Sequence, residues 1–456
     1  MTKSVAAGRV PFWYTLVWLL GLPLVACYLC WRSLRQPEYR QHWAERFLGH
    51  GARSSAAGEA PMLWVHAVSV GETRAAQPLI EQLALRHPQA HFLLTHMTPT
   101  GRAAGQDLAR ALAGRVQQRY LPYDLPFAVG RFLRQTRPSL GVLMETEVWP
   151  NLLQAAAARD VPVLLANARL SQRSLAKAMR FPHLMRGAAA AIRAVGAQSA
   201  ADRERMGQLY AGPITVTGNL KFDLRPDEQL LARGRDLRTR LRACFAPASG
   251  ERPIWLFAST REGEERLLLA ALQLRDRTPA AATAPAPLLL FVPRHPQRFE
   301  EVAELLRAAG PSVLRRAQWQ ALTAAAPAVP TPSLLLGDSM GEMALYYAMA
   351  DVALIGGSLL PLGGQNLIEA CACACPVVLG PHMFNFAQAA ADAVAAGAAC
   401  AVADAAQALE AMARISAEAP LRARMSAAAL AFASTHRGAT ERTGELIDRL
   451  LAQGAR

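Results

Sequence analysis

Met62-Leu63-Trp64-Val65-His66-Ala67-Val68-Ser69-Val70-Gly71-Glu72-Thr73 is the stretch on which the reading of the fold turns. A short unbroken apolar run gives way to small residues, and a helical pattern follows over Arg74–Arg86. A strand that is apolar along its whole length has both faces buried, and a helix directly after it covers one of them. The same phrase recurs through the first half, with strands expected at Met62–Ser69, His91–Met97, Leu140–Glu145, Val161–Asn167, Ala194–Gln198 and Ile214–Thr217 and helices such as Asn151–Arg159 between them. Residues 224–252 break the rhythm, first charged and then loop-like over 246–250, and read as a crossing between domains. Alternation restarts with strands expected at Ile254–Ala258, Leu288–Pro293, Ser333–Leu336, Val352–Ile355, Pro376–Leu379 and Ala399–Val402. Helices such as Arg298–Ala309 and Met343–Met349 separate them, and Pro420–Gln453 reads as helix throughout. The expected class is α/β: two Rossmann-like domains, 50–223 and 253–456, facing a cleft, joined by the linker 224–252 and preceded by a segment at 1–49. Ligands of such sheets bind at the carboxyl ends of the strands.

The preceding segment has its own chemistry. Pro11 to Trp31 carries no charge, and its length suits a hydrocarbon core of about 30 Å. Trp13, Tyr14, Tyr28 and Trp31 stand near its ends like interfacial aromatic belts. Lys3 and Arg9 precede it, and Arg32, Arg35, Arg40 and Arg46 follow closely, which places the bulk of the chain on the cytoplasmic side. A spanning helix and a helix lying in the interface both fit, and Pro23 keeps the second open. Over 456 residues, 52% hydrophobic and 18% charged residues exclude a disordered chain. The formal charge of +14 suits an anionic membrane, a phosphorylated substrate or a compositional bias. The basic residues form no concentrated stripe, so no nucleic-acid partner is expected. Cys371, Cys373 and Cys375 fall in an apolar helical pattern and read as core residues, and no metal site is expected.

Candidate chemistry collects at strand ends. Glu72 follows the first strand at a helix start; it is either a capping carboxylate or a proton acceptor held over a crevice. Glu145 and Glu147 stand at the end of the third expected strand; residues two apart share a face of a strand, so only one of them points inward if the alternation breaks at the strand end. Lys221, in Thr217-Gly218-Asn219-Leu220-Lys221-Phe222-Asp223, either neutralises developing charge or lies on a surface. In the second half, Arg294 and His295 after an apolar strand suit a phosphate or a solvated loop. Gly337-Asp338-Ser339-Met340-Gly341-Glu342 suits an anion or an ordinary turn. Glu369, after Gly363-Gly364-Gln365-Asn366, suits ribose hydroxyls or a helix's first turn.

Taken together, the runs Trp64–Thr73, Glu145–Asn151, Ala166–Ser171, Thr217–Asp223, Arg294–Pro296, Gly337–Glu342 and Gly380–Phe386 resemble the Kdo transferase family of lipopolysaccharide inner-core biosynthesis, where Kdo is 3-deoxy-D-manno-octulosonic acid. The resemblance implies GT-B architecture, an inverting mechanism, a CMP-Kdo donor and a lipid A precursor as acceptor. It implies Glu72 as proton acceptor, with Glu145 and Lys221 stabilising the transition state. It also implies CMP contacts at Arg294, His295, Met340, Gly341, Glu342, Asn366, Leu367, Ile368 and Glu369, no metal or other cofactor, and work on the cytoplasmic side of the inner membrane. Gln365 stands where the family usually has His, and Arg261 where it commonly has His after Ser-Thr. Another GT-B transferase with a different nucleotide-sugar donor is the alternative. A nucleotide-binding membrane scaffold is the non-enzymatic one.

Overall fold

A computed structural model of the chain describes residues 10–51, 60–112, 114–223, 225–245, 252–275, 286–310, 312–321 and 334–454. Lys3, Arg9, Ser333 and the loop-like stretch 246–250 lie outside the described residues. The chain forms two compact units, Met1–Leu224 with His436–Arg456, and Arg225–Thr435.

The first unit holds β1 Met62–His66, β2 His91–His96, β3 Val116–Tyr120, β4 Leu140–Met144, β5 Val163–Ala168, β6 Ala194–Ala197 and β7 Ile214–Val216. They pair in parallel in the order β3-β2-β1-β4-β5-β6-β7. Side chains alternate across β1. Leu63 and Val65 join a core with Ile80, Leu83 and Phe92, while Trp64 joins Phe132, Leu152 and Leu165 on the other face. Strand order reverses between β1 and β4, which opens the crevice where doubly wound sheets take ligands. The sequence reading passed over β3. Its Gln117, Gln118 and Arg119 break the apolar run, and among the described residues it is an edge strand that pairs with β2 alone.

The second unit holds β8 Ile254–Thr260, β9 Leu288–Pro293, β10 Val313–Arg315, β11 Leu334–Leu336, β12 Val352–Ile355, β13 Val377–Leu379 and β14 Ala399–Ala401. These are also all parallel, in the order β10-β11-β9-β8-β12-β13-β14, with the reversal at β8 and β12. The short edge strand β10 was also missed.

Two boundaries differ from expectation. The supposed linker carries an α-helix, Glu228–Phe245, that belongs to the second unit. It buries Leu231, Leu237, Leu241 and Phe245, while Arg238 and Arg242 pair with the buried Asp351. Asp351 also accepts the Ile254 N–H at 2.8 Å, which ties this helix to the start of β8. Two of the charges that read as a linker, Arg238 and Arg242, thus satisfy one buried carboxylate. The C-terminal stretch is two helices, Ala419–Thr435 and Ala439–Gly454, rather than one. Gly438 breaks them with φ +93°, and Asp223 accepts the N–H groups of Gly438 and Thr440. The last helix returns to the first unit, where Leu446, Ile447 and Leu450 complete its core. The unit expected to run from 253 to 456 therefore ends at Thr435.

Candidate active site

At the carboxyl end of β1 the chain turns through Ala67 and Val68 into the helix Val70–Arg86, which Ser69 caps. The turn is complete before Gly71, which lies within the helix. Ser69 and Glu72 cap each other: Ser69 Oγ accepts the Glu72 N–H at 3.4 Å and donates to Glu72 Oε1 at 2.9 Å. The Val68 N–H donates to Glu72 Oε2 at 2.9 Å. Glu72 is thus a capping carboxylate held in one rotamer, and it also has the electrostatics of a base. Burial raises its pKa from an ordinary 4.5 to about 7, and the charges of Glu145 and Glu147 add to that, against the lowering by the Val68 N–H and the Ser69 hydroxyl. A carboxylate poised near neutrality suits proton transfer at physiological pH.

The carboxyl end of β4 lies across the reversal. Glu145 has φ +59°, an uncommon conformation for a side chain of this kind, and its N–H still donates to the Ala166 carbonyl of β5 at 2.9 Å. Its carboxylate takes the Lys221 ammonium at 2.9 Å, and both groups are half-buried. Glu147 turns to Trp149 instead, whose indole N–H donates to it at 2.7 Å. Burial raises the Glu147 pKa, and the Glu145 charge adds to that, against the Trp149 hydrogen bond. The two carboxylates take different partners, Lys221 for Glu145 and Trp149 for Glu147. Lys221 reaches Glu145 because its loop is pinned: Asn167 Oδ1 accepts the Leu220 N–H at 3.0 Å, and Asn219 Oδ1 accepts the Lys221 N–H at 3.0 Å. Three separate stretches of sequence bring Glu72, Glu145 and Lys221 to one end of one sheet.

The second unit has a cationic counterpart. Arg294, after β9, donates Nε–H to Gln365 Oε1 at 3.1 Å. Partial desolvation lowers the His295 pKa, and the charges of Arg294, Arg261 and Arg298 lower it further, so its neutral form sits in a positive field. Arg261 follows β8, and its N–H donates to Glu264 Oε2 at 2.9 Å. The buried Glu264 also accepts from Gly357 N at 2.6 Å and Leu359 N at 3.2 Å, so one carboxylate shapes both loops beside the reversal. Burial raises its pKa, against those three N–H groups. Met340 is exposed. Glu342 is occupied: Arg316 grips it with two bonds of 2.9 Å and Ser339 Oγ donates at 2.6 Å. Asn366 caps the helix Leu367–Ala372 by accepting the Ile368 N–H at 3.1 Å. Leu367 and Ile368 bury their side chains, so only their main chain is available to a ligand. Glu369, half-buried, follows in the first turn.

Residues 41–224 match a family described as 3-Deoxy-D-manno-octulosonic-acid transferase (kdotransferase), and residues 319–432 match Glycosyl transferases group 1. A 3-deoxy-D-manno-octulosonic acid transferase of Bordetella pertussis is 47% identical over 443 residues, covering 95% of this chain and 98% of that protein. Its counterpart from Haemophilus influenzae is 37% identical, covering 82% of this chain and 83% of that protein. This chain belongs to the Kdo transferase family. It is a glycosyltransferase enzyme. A glycosyltransferase of Rickettsia africae, 14% identical, superposes with a TM-score of 0.55 over 87% of this chain and 99% of that one, in keeping with the two-Rossmann GT-B fold.

Within this Kdo transferase family member, the strand-end carboxylates were legible but their supports were not. Ser69 and Asn167 lie in the runs Trp64–Thr73 and Ala166–Ser171, whose residue types alone do not reveal what they hold. Glu264 lay unremarked in Arg261-Glu262-Gly263-Glu264-Glu265, where an acidic residue shortly after a strand end was the available signal. Gln365 and Arg261, the two departures from the family's pattern, lie beside each other: a Cβ added at Gly357 would sit 3.4 Å from Gln365 Nε2 and 3.5 Å from Arg261 Cγ.

Proposed function

We propose that this enzyme transfers Kdo from CMP-Kdo to a phosphorylated lipid A precursor, with inversion at the anomeric carbon, on the cytoplasmic side of the inner membrane. The observation that carries the catalytic reading is the grouping of Glu72, near neutrality in its proton affinity, with the Glu145–Lys221 ion pair at one sheet end. A sugar hydroxyl of the acceptor attacks the anomeric carbon and gives its proton to Glu72. The bond from that carbon to the CMP phosphate oxygen breaks, and CMP leaves with the electron pair. Glu145 and Lys221 stabilise charge developing in the transition state. Arg294 and Arg261 neutralise the phosphate, Glu369 takes the ribose hydroxyls, and no step is routed through a metal. Net charge of +14 favours approach to an acceptor that is itself an anionic lipid.

The test is turnover of fresh CMP-Kdo with a tetra-acylated, bis-phosphorylated lipid A precursor, resolved by product mass. A gain of whole Kdo units is the expected result, and a folded, CMP-binding protein that forms no product overturns the reading. Glu72→Gln should abolish most turnover while leaving CMP binding intact. A different nucleotide-sugar donor is the competing reading, favoured by Gln365 and Arg261; protection of the enzyme by UDP-sugars in place of CMP-Kdo would support it.

A further inference from the structure

The uncharged N-terminal segment forms a helix, Phe12–Ser33, about 33 Å long at 1.5 Å per residue. That is enough to cross a bilayer, yet the helix is not free along its length. Tyr14, Thr15, Trp18, Leu22, Val25 and Leu29 recur at helical spacing and are all at least partly covered. At its start, the Tyr14 hydroxyl donates to Asp124 Oδ2 at 2.9 Å, Thr15 reaches Asn151 at 3.5 Å, and the Val10 N–H reaches Gln154 at 3.4 Å. Trp18 stacks on Trp149 at 6.1 Å, the same indole that holds Glu147. At its end, Ser33 Oγ accepts from Arg40 at 2.9 Å. The segment behind Arg40 is fixed to the Rossmann sheet by Tyr123 N donating to the Arg46 carbonyl at 2.8 Å and Tyr120 N donating to Glu45 at 2.8 Å.

We propose that this helix does not span the membrane but lies in the plane of one leaflet, between the first unit and the lipid. Both of its ends are held by the same folded unit. A spanning helix of this length would carry its start to the far side of the bilayer, and Asp124, Asn151 and Gln154 would have to follow it through hydrocarbon, which polar groups resist. The other flank fits lipid. Phe12, Val17, Leu20 and Leu24 are 61–77% exposed, and Tyr28 and Trp31 continue them toward the helix end. Arg32 and Arg35 lie over Tyr28 and Trp31, and Arg40 is exposed next to them, so cations border the apolar face where anionic headgroups would lie. The occupant of this face is a leaflet containing anionic lipid. The Trp18–Trp149 stack sets the loop of Glu147 against the helix that rests on it. The inference needs the membrane part of the proposed function but no particular donor or acceptor.

The test is independent of transfer activity. The full chain, with a cysteine-bearing tag ahead of Met1 and Cys27 and Cys30 replaced by Ser, is expressed in a Gram-negative host. Its tag should resist a membrane-impermeant maleimide in intact spheroplasts and react once they are opened, while the chain sediments with membranes. Leu20→Glu with Leu24→Glu should move most of the chain to the supernatant with an unchanged proteolysis pattern of the Rossmann unit. In vesicles containing phosphatidylglycerol, spin labels at positions 12, 20 and 31 should report similar shallow depths, about 5–10 Å below the headgroups. Labelling of the tag in intact spheroplasts, or a label at position 20 at mid-bilayer depth with 12 and 31 at opposite faces, overturns the proposal. So does a wild-type chain that stays soluble, or a double variant that still sediments in full.

Discussion

Glu72 serves two tasks whose demands pull in opposite directions. As a helix cap it is held by Ser69 and the Val68 N–H; as a base it must release those bonds little while accepting a proton. Burial and two carboxylate neighbours place its pKa at about 7, so activity should fall roughly tenfold per pH unit below that value as the base fills with protons. A kcat/KM profile from pH 5 to 9 checks this; a flat acidic limb would remove Glu72 from the role. The same shift acts on stability. Between pH 4.5 and about 7 the folded chain keeps a proton on Glu72 that the unfolded chain has lost, so this group's contribution to stability falls as pH rises through that window. Glu72→Gln should therefore raise the unfolding free energy at pH 8 by about 1 kcal/mol, most of the gain vanishing at pH 4.5, since Gln still accepts one of the two hydrogen bonds. Urea melts at the two pH values read it directly. Glu72 and Glu145 stood out as candidates because carboxylates at strand ends face the crevice of a parallel sheet, whereas Lys221 took its assignment from the family resemblance. Asn167 did not stand out, because the main-chain N–H it accepts is 53 residues away; Glu264 has one local partner in the Arg261 N–H, but the bonds that tie it to the second loop are 93 and 95 residues away, and no local pattern encodes such a distance.

Among the elements, strands buried on both faces were read to within a few residues, since continuous apolar runs have few other uses. Edge strands β3 and β10 escaped because an edge tolerates polar side chains such as Gln117, Gln118 and Arg315. The helix Glu228–Phe245 escaped for a related reason: its charges outnumber its apolar stripe, and two of them, Arg238 and Arg242, serve the buried Asp351. Its seat is tight. A Cβ at Gly234 would lie 2.4 Å from the Leu345 carbonyl oxygen and 2.8 Å from Ala348 Cβ on the helix Met343–Met349. Backbone oxygen cannot swing aside as a side-chain tip can, so Gly234→Val should force the helices apart at a cost of about 1–3 kcal/mol. Chemical denaturation followed through CMP binding would show it, since the second helix directly follows Glu342. A Gly234→Val protein with an unchanged midpoint would contradict the packing described.

At the scale of the whole molecule, the chain leaves its first unit after Leu224 and returns to it at His436. Sequence order hid this return: an apolar stripe in the last helix reveals that it packs, but not against which sheet. Ile447 is fully buried among residues of the first unit's core, with Leu446 and Leu450 beside it. Arg86, near the end of the helix that starts at Glu72, pairs with Asp448 at 2.5 Å, and His87 meets the same carboxylate at 2.8 Å. The C-terminus therefore braces the helix whose first turn carries the candidate base. Ile447→Asp would bury an unpaired carboxylate in that core, a cost of several kcal/mol after relaxation. The expected result in the full-length chain is selective: trypsin should cut within 62–223 at low denaturant while 225–435 stays protected, and turnover should fall with CMP binding retained. Were the last helix part of the second unit instead, the same substitution would expose 253–435 and abolish CMP binding first. The order in which fragments appear thus decides which sheet the end of the chain belongs to.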